Sequence, residues 1–112
     1  MDEQAPLTVS EATALQEKMV AALRTCYDPE IPVNVYDLGL IYEAKVDTSG
    51  HALVKMTLTA PGCPASGWLA GEVEDKISAL PGIKSVRVDV VWEPRWSMEM
   101  MSEAAKLQLG FL

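Results

Sequence analysis

The chain has 112 residues and a formal net charge of −7, with 49% hydrophobic and 22% charged residues. This length supports one hydrophobic core, and the composition is typical of a globular domain rather than a disordered chain. The 16 acidic residues against 9 Lys and Arg disfavour nucleic acid as a partner, because phosphate binding draws its free energy from basic side chains. No apolar run approaches the roughly 20 residues of a membrane-spanning helix, and no apolar secretory segment begins the chain, so we expect a cytoplasmic protein without a membrane partner.

The first element is predicted to be an amphipathic helix. Residues 1–7 are expected to form a flexible tail, followed by a single domain over residues 8–112. Thr8 and Glu11 have the spacing of a capping box with Thr8 as the N-cap, and the helical periodicity continues to about Arg24. The apolar stripe ends in a cysteine that we expect to be a packed thiol, and it consists of Leu15, Met19, Ala22, Leu23 and Cys26.

A β-hairpin is predicted in the middle of the chain, after a loop over residues 27–38 that is rich in proline and acidic residues. Two runs with a period of two flank the turn at residues 47–50, which is the pattern of paired antiparallel strands. The apolar faces of these two runs consist of Leu40, Tyr42, Ala44, Val46, Ala52, Val54, Met56 and Leu58.

The second half of the chain predicts two helices around a third strand. Pro64 is suited to the first turn of a helix that ends at Pro81-Gly82, and alternating valines over 86–90 predict the strand. Ser97 is expected to cap a last helix from Met98 to about Leu109. The order α-β-β-α-β-α predicts a two-layer α+β domain, in which a small sheet has helices packed on one face.

Cys63 is the strongest candidate for chemistry. It lies between Gly62 and Pro64, just before the second predicted helix. Backbone N–H groups at a helix N-terminus stabilise an anion and therefore lower the pKa of a thiol placed there. A thiolate is both a nucleophile and a soft metal ligand. The alternative is that Cys63 is a small N-cap residue without a chemical role.

Carboxylates and hydroxyls form a second set of candidates. Asp28, Glu30 and Asp37 lie in the proline-stiffened loop, where the three carboxylates could bind a metal or a basic partner. The alternative, which we favour, is that Asp28 and Asp37 cap turns. Thr57 and Thr59 end the second predicted strand next to the Cys63 loop. They could donate hydrogen bonds to a sulfur or an oxyanion, although the alternation favours a solvated face for both.

An aromatic cluster after the third strand is a candidate partner surface. Trp92, Arg95 and Trp96 are residue types that often anchor protein interfaces, although the two indoles could equally cover the edge of a small core. His51 is expected at the hairpin turn, at the wrong end of its strand to serve as a base for Cys63. A cysteine hydrolase is therefore disfavoured, and we expect no enzymatic activity.

Several motifs together identify a family. The segments that carry them are Asp28–Tyr42 (DPEIPVNVYDLGLIY), Met56–Pro64 (MTLTAPGCP), Leu80–Gly82, Val91–Trp96 and Met100–Ser102. Their order and spacing, over about residues 8–110, resemble the SufT/PaaD-like family of iron–sulfur cluster assembly proteins, which has relatives in the eukaryotic cytosolic iron–sulfur targeting machinery. The resemblance implies the α+β fold, a reactive cysteine at Cys63 and an acidic motif at Asp28, Glu30 and Asp37.

The resemblance also implies a role. It predicts a maturation factor that delivers clusters to client apo-proteins together with other assembly proteins. One cysteine cannot hold an iron–sulfur cluster alone, because clusters usually take four thiolate-type ligands. A cluster would therefore be bound transiently and shared with a client or between the subunits of a homodimer. The alternative is an adaptor that docks clients through Trp92, Arg95 and Trp96 without binding a cluster itself.

Overall fold

The structure is a computed structural model that describes residues 6–28, 31–59 and 66–110. Its elements are α1 (Val9–Leu23), β1 (Ile41–Val46), β2 (His51–Met56), α2 (Ser66–Ser78), β3 (Ser85–Val90), a 3-10 turn (Met98–Met100) and α3 (Glu103–Gln108). The predicted α+β class is confirmed, and the predicted order of helices and strands differs only near the end of the chain. None of the helices in these ranges is long and apolar enough to cross a membrane.

The three strands form one sheet in the order β1-β2-β3. β1 and β2 are antiparallel and joined by a tight turn, whereas β2 and β3 are parallel because α2 crosses between them. The carboxyl ends of β2 and β3 therefore lie at the same edge of the sheet. There the N–H of Val91 donates to the carbonyl oxygen of Met56 at 2.8 Å.

The core lies between the sheet and helices α1 and α2. The inward side chains of β2 are fully or almost fully buried, as its alternation predicts, and Leu69, Val73 and Ile77 cover them from α2. The loop before β1 also enters the core through Val33, Val35 and Leu38. The outer face of the sheet is mostly polar and carries Lys45, Lys55, Arg87 and Asp89 around Leu53.

The beginning of α1 follows its local sequence closely. The Thr8 hydroxyl accepts from the N–H of Glu11 at 3.0 Å, and the Glu11 carboxylate accepts from the N–H of Thr8 at 2.9 Å, so the predicted capping box is present. Leu7, which the sequence assigned to the tail, donates its N–H to Thr48 at 2.7 Å and packs against the core. Residues 1–5 lie outside the described ranges.

The predicted last helix is wrong in its start and its cap. The chain instead forms a 3-10 turn at Met98–Met100, and Met101 is extended with φ −67° and ψ 147°. α3 begins only after Ser102, whose hydroxyl accepts from the N–H of Ala105 at 3.1 Å. The interruption has a tertiary cause, because the Ser102 N–H donates to the carbonyl oxygen of Asp37 at 2.8 Å and holds the chain against the loop before β1.

A pair of serine substitutions tests this corrected boundary. Ser102→Ala should lower the free energy of unfolding by about 1 kcal/mol, because it removes an N-cap hydrogen bond. Ser97→Ala is the matched control and should change stability little, since the Ser97 side chain makes no cap hydrogen bond. Urea denaturation of the two variants measures both effects, and an equal loss in both would contradict the assignment.

Candidate functional site

A cleft of about 270 Å³ opens at the carboxyl ends of β2 and β3. It is lined by Thr57, Leu58, Thr59, Trp92, Glu93, Arg95 and Trp96. Five of the predicted site residues are among these, so the structure brings together both threonines and the whole aromatic cluster. In proteins with parallel strands, ligands commonly bind at the carboxyl ends of the strands.

Thr57 is the polar residue in this cleft whose environment is most unusual. Its side chain is only 1% exposed, and its hydroxyl oxygen has no hydrogen-bond partner among the described residues. The prediction of a solvated face is wrong for Thr57, because the chain that follows β3 covers this end of the sheet. A buried hydroxyl without a partner costs free energy, which makes Thr57 unusual among the buried polar side chains.

Tyr42 lies beside the cleft, and the sequence interpretation missed its contribution. Its hydroxyl donates to the carbonyl oxygen of Pro94 at 2.7 Å and lies 3.6 Å from the sulfur of Met100. Burial raises the pKa of Tyr42, a side-chain hydrogen-bond interaction with Thr57 opposes that rise, and the charge of Glu93 adds to it. The two hydroxyls are therefore close together, although the geometry between them does not meet that of a full hydrogen bond and Thr57 Oγ1 has no other partner among the described residues.

The segment that carries the tryptophans is fixed to the loop before β1. The indole N–H of Trp96 donates to the carbonyl oxygen of Leu38 at 2.7 Å. Gly39 has a φ of +84°, and a Cβ at this position would collide with the carbonyl oxygen of Met100, so only glycine fits this close approach. Trp96 is therefore a structural anchor for the cleft wall, as the core-edge alternative proposed.

Trp92 and Arg95 differ from Trp96 because they face solvent. The side chain of Trp92 is 42% exposed, and Arg95 forms no ion pair with any residue of the described ranges. An exposed indole next to a free guanidinium is available for contact with another molecule.

The acidic candidates do not line the cleft. Asp28 is 4% exposed, and its carboxylate accepts from the N–H of Ile31 at 3.2 Å, which is a turn-capping contact. Asp37 accepts from the side-chain amide of Asn34 at 2.8 Å and lies 4.0 Å from Arg24. The Asp28 contact agrees with the favoured turn-capping interpretation, whereas the Asp37 carboxylate contacts side chains and the Asn34 side chain caps that turn by accepting from the Asp37 N–H at 2.9 Å. Any functional role of the carboxylates stays a prediction.

Two predicted residues, Glu30 and Cys63, lie outside the described ranges, as does Pro64. In the sequence Cys63 follows Thr59 by four residues and precedes the first residue of α2 by three. Within residues 6–28, 31–59 and 66–110, no group of three or more His, Cys, Asp or Glu side chains is arranged to hold a metal ion.

The other cysteine has the environment of a packed thiol. Cys26 is fully buried, as predicted, and its sulfur lies 3.9 Å from the carbonyl oxygen of Ala22. Burial, followed by the charge of Glu72, raises the pKa of the Cys26 thiol. A buried thiol with a raised pKa is a poor nucleophile and a poor metal ligand at neutral pH.

A larger groove of about 800 Å³ lies on the outer face of the sheet. Its charged side chains largely neutralise one another, since Lys45 and Lys55 pair with Glu43 at 3.1 and 3.7 Å and Arg87 pairs with Asp89 at 3.0 Å. None of its buried polar atoms lacks a hydrogen-bond partner within the described ranges. We therefore regard the smaller cleft at the strand ends as the better candidate site despite its size.

Comparison with known protein families identifies the family of this chain. Residues 16–90 match the family model described as "Iron-sulfur cluster assembly protein". The chain belongs to this family. The matched residues include β1, β2, α2 and β3, together with Thr57, Thr59 and Cys63.

Individual relatives agree with the family match over most of the chain. The chain is 52% identical to an Fe-S protein maturation auxiliary factor of Porphyromonas gingivalis over 92% of its own length and 98% of that protein's. It is 40% identical to the Fe-S protein maturation auxiliary factor SufT of Staphylococcus aureus, over 74% of its own length and 94% of that protein's. The resemblance to the SufT-like family is thereby confirmed.

The fold is also similar to that of a solved structure. The crystal structure of a domain of unknown function, DUF59, from Bacillus anthracis superimposes with a TM-score of 0.85 at 36% identity. The match covers 94% of this chain and 100% of that domain. The arrangement of three strands and helices is therefore shared within the family.

Proposed function

We propose that this protein is an auxiliary factor in the maturation of iron–sulfur proteins, working in the cytoplasm and turning over no metabolite of its own. The family and the maturation factors that resemble the chain over most of its length support this role. In this proposal the cleft at the ends of β2 and β3 is the working site, and the cluster is cargo passed to client apo-proteins. Other iron–sulfur assembly proteins are the expected partners on the supply side.

The observation that carries the proposal is the buried hydroxyl of Thr57. Thr57 Oγ1 has no partner in full hydrogen-bond geometry among the described residues and lies near only the weakly interacting Tyr42 hydroxyl, so its O–H can donate to a ligand in the cleft. Sulfide and thiolate sulfurs carry negative charge and accept hydrogen bonds, and such bonds stabilise clusters and tune their potentials. A hydroxyl at the wall of the cleft is suited to this task.

Cys63 is proposed as the reactive residue of the site. It follows Thr59 by only four residues, so the covalent chain limits how far its thiol can lie from the cleft. As a thiolate it would bind iron as a soft ligand. Since a cluster usually needs four ligands, the remaining ones would come from a client or a small thiol, and the binding would be transient.

An adaptor without a cluster of its own is the second candidate, and the exposed side chains of Trp92 and Arg95 favour it. In that case these side chains would dock partners and Cys63 would be a structural residue. The carrier and the adaptor would both use the surface beside the cleft. They differ in whether the protein itself binds iron and sulfide.

Anaerobic reconstitution with iron and sulfide, followed by absorption spectroscopy, separates the two candidates. The proposed carrier should develop the visible absorption of a thiolate-ligated cluster and lose it in Cys63→Ser, while Trp92→Ala should retain it. No cluster absorption in the wild-type protein, with or without a small thiol, would leave the adaptor as the better account.

A further inference from the structure

The third strand has a free edge. Among the described residues β3 pairs only with β2, in an unbroken register from Ser85 to Val90. The N–H of Val91 points to Met56 in β2, and backbone groups alternate in direction along a strand. The N–H and C=O groups of Val86, Val88 and Val90 therefore point away from β2, toward the open side of the sheet.

This edge lacks the features that usually protect a sheet from pairing with another chain. Natural edges carry prolines, bulges or inward-pointing charges, and β1 has an irregularity in its register between Ile41 and Glu43. The strand β3 (SVRVDV) has no proline, no inward-pointing charge and a regular register, and its two outward charges, Arg87 and Asp89, are of opposite sign, so they do not repel a second copy of the strand. Its inward valines are also only half-buried, whereas the inward residues of the adjacent β2 are at most 4% exposed.

The side chains of β3 are complementary to those of a second copy of the same strand. If two copies pair in antiparallel orientation about a two-fold axis at Val88, Arg87 of each copy lies opposite Asp89 of the other. Both belong to non-hydrogen-bonded pairs, in which the side chains approach most closely, and the outward backbone groups of the valines form the ladder. On the inner face, valine then packs against valine.

Within Ser85–Val90, only this antiparallel register places opposite charges directly across from each other. Centring the pair on residue 87 or 89 would place two arginines or two aspartates directly opposite each other, which is destabilising. A shift by a single residue would bring inward side chains against outward ones. The contact between the two β3 strands is also locally neutral, because it contains two arginines and two aspartates. This favours pairing at β3, since the rest of each copy, with its net charge of −7, repels the other.

We propose that β3 is a homodimerisation edge, where two copies join their sheets into one continuous sheet of six strands through antiparallel pairing centred on Val88. Arg87 and Asp89 form an ion pair within one strand, with 3.0 Å between Nε and Oδ1. In the dimer, the two such pairs face each other as a square of four charges in which every neighbour has the opposite sign. A symmetric two-fold interface of this kind is the commonest form of association between identical chains.

The dimer does not complete the candidate site. Antiparallel pairing brings the carboxyl end of one β3 next to the amino end of the other, so the two clefts lie at opposite ends of the seam. A second subunit bound in this way supplies no ligand to the cluster of the first, and the remaining ligands would come from a client or a small thiol. The dimer itself does not depend on the iron–sulfur role.

Charge reversals test the dimer by sedimentation equilibrium of the full chain at concentrations up to about 1 mM. Arg87→Asp and Asp89→Arg should each weaken association about tenfold or more, because each replaces two attractive cross-strand pairs by repulsive ones. The double variant Arg87→Asp/Asp89→Arg restores the complementarity and should recover wild-type association to within about threefold. Lys45→Asp is the matched control for Arg87→Asp, since it makes the same charge change and breaks a comparable ion pair on β1.

Amide exchange of the wild-type protein provides a readout that needs no substitution. The amides of Val86, Val88 and Val90 should become protected as the concentration rises, while those of Arg87 and Asp89 are protected by β2 at every concentration. A wild-type protein that stays monomeric, single variants that associate like the Lys45→Asp control, or a double variant that does not recover would each overturn the proposal.

Discussion

Replacing Cys63 by serine should leave the domain folded and abolish its contribution to cluster maturation. Serine is nearly isosteric with cysteine, so we expect a melting temperature within about 2 °C of wild type. The loss of function is chemical, because a serine hydroxyl at neutral pH is neither ionised nor a soft ligand for iron.

Complementation of a deletion strain measures this effect. Under iron limitation, the activity of a cluster-dependent enzyme should return with the wild-type gene and stay at the deletion level with Cys63→Ser. Cys26→Ala is the matched control, because it removes the other, fully buried thiol. It should cost stability through lost packing yet retain function per folded molecule. Full rescue by Cys63→Ser would refute the role of the thiol.

Thr57→Val should make the protein more stable and less active. The substitution keeps the shape of the side chain and removes a buried hydroxyl that has no partner among the described residues. Because such a group carries an uncompensated desolvation cost, we expect a gain of about 1 kcal/mol, or about 4 °C in melting temperature. The cluster would lose its hydrogen-bond donor, and rescue in the same complementation assay should fall about tenfold or more.

Thr57→Ser is the matched control for this experiment. It keeps the hydroxyl and deletes a buried methyl group, so it should cost about 1 kcal/mol of stability and preserve rescue. The two substitutions thus move stability and function in opposite directions. If Thr57→Val lowered the melting temperature and Thr57→Ser did not, the hydroxyl would have a structural partner, and the argument for a ligand would fail.

Features with local causes could be predicted from the sequence. The capping box of Thr8 and Glu11, the hairpin and the buried face of β2 depend on residues close together in the chain, and the structure has all of them. The burial of Cys26 likewise agrees with its place at the end of the apolar stripe, although α1 itself ends at Leu23. Motif order and spacing were sufficient to identify the family, because they span almost the whole chain.

Features with distant causes could not be predicted. The break before α3 arises from a hydrogen bond between Ser102 and Asp37, and the Tyr42 hydroxyl meets a carbonyl at Pro94. Thr57 is buried although the alternation places it on an outer face, since the segment after β3 folds over that end of the sheet. The pleat of a strand fixes the direction of a side chain but does not determine which distant segment covers it.

Cluster transfer between purified proteins tests the central claim most directly. The wild-type protein, reconstituted anaerobically with iron and sulfide in the presence of a small thiol, is mixed with an apo-protein whose activity requires a cluster. We predict that activity appears faster than with the same amounts of free iron, sulfide and thiol, and that reconstituted Cys63→Ser gives no acceleration. Equal rates for the wild-type protein, the serine variant and the free components would contradict the account of this protein as a carrier that works through Cys63.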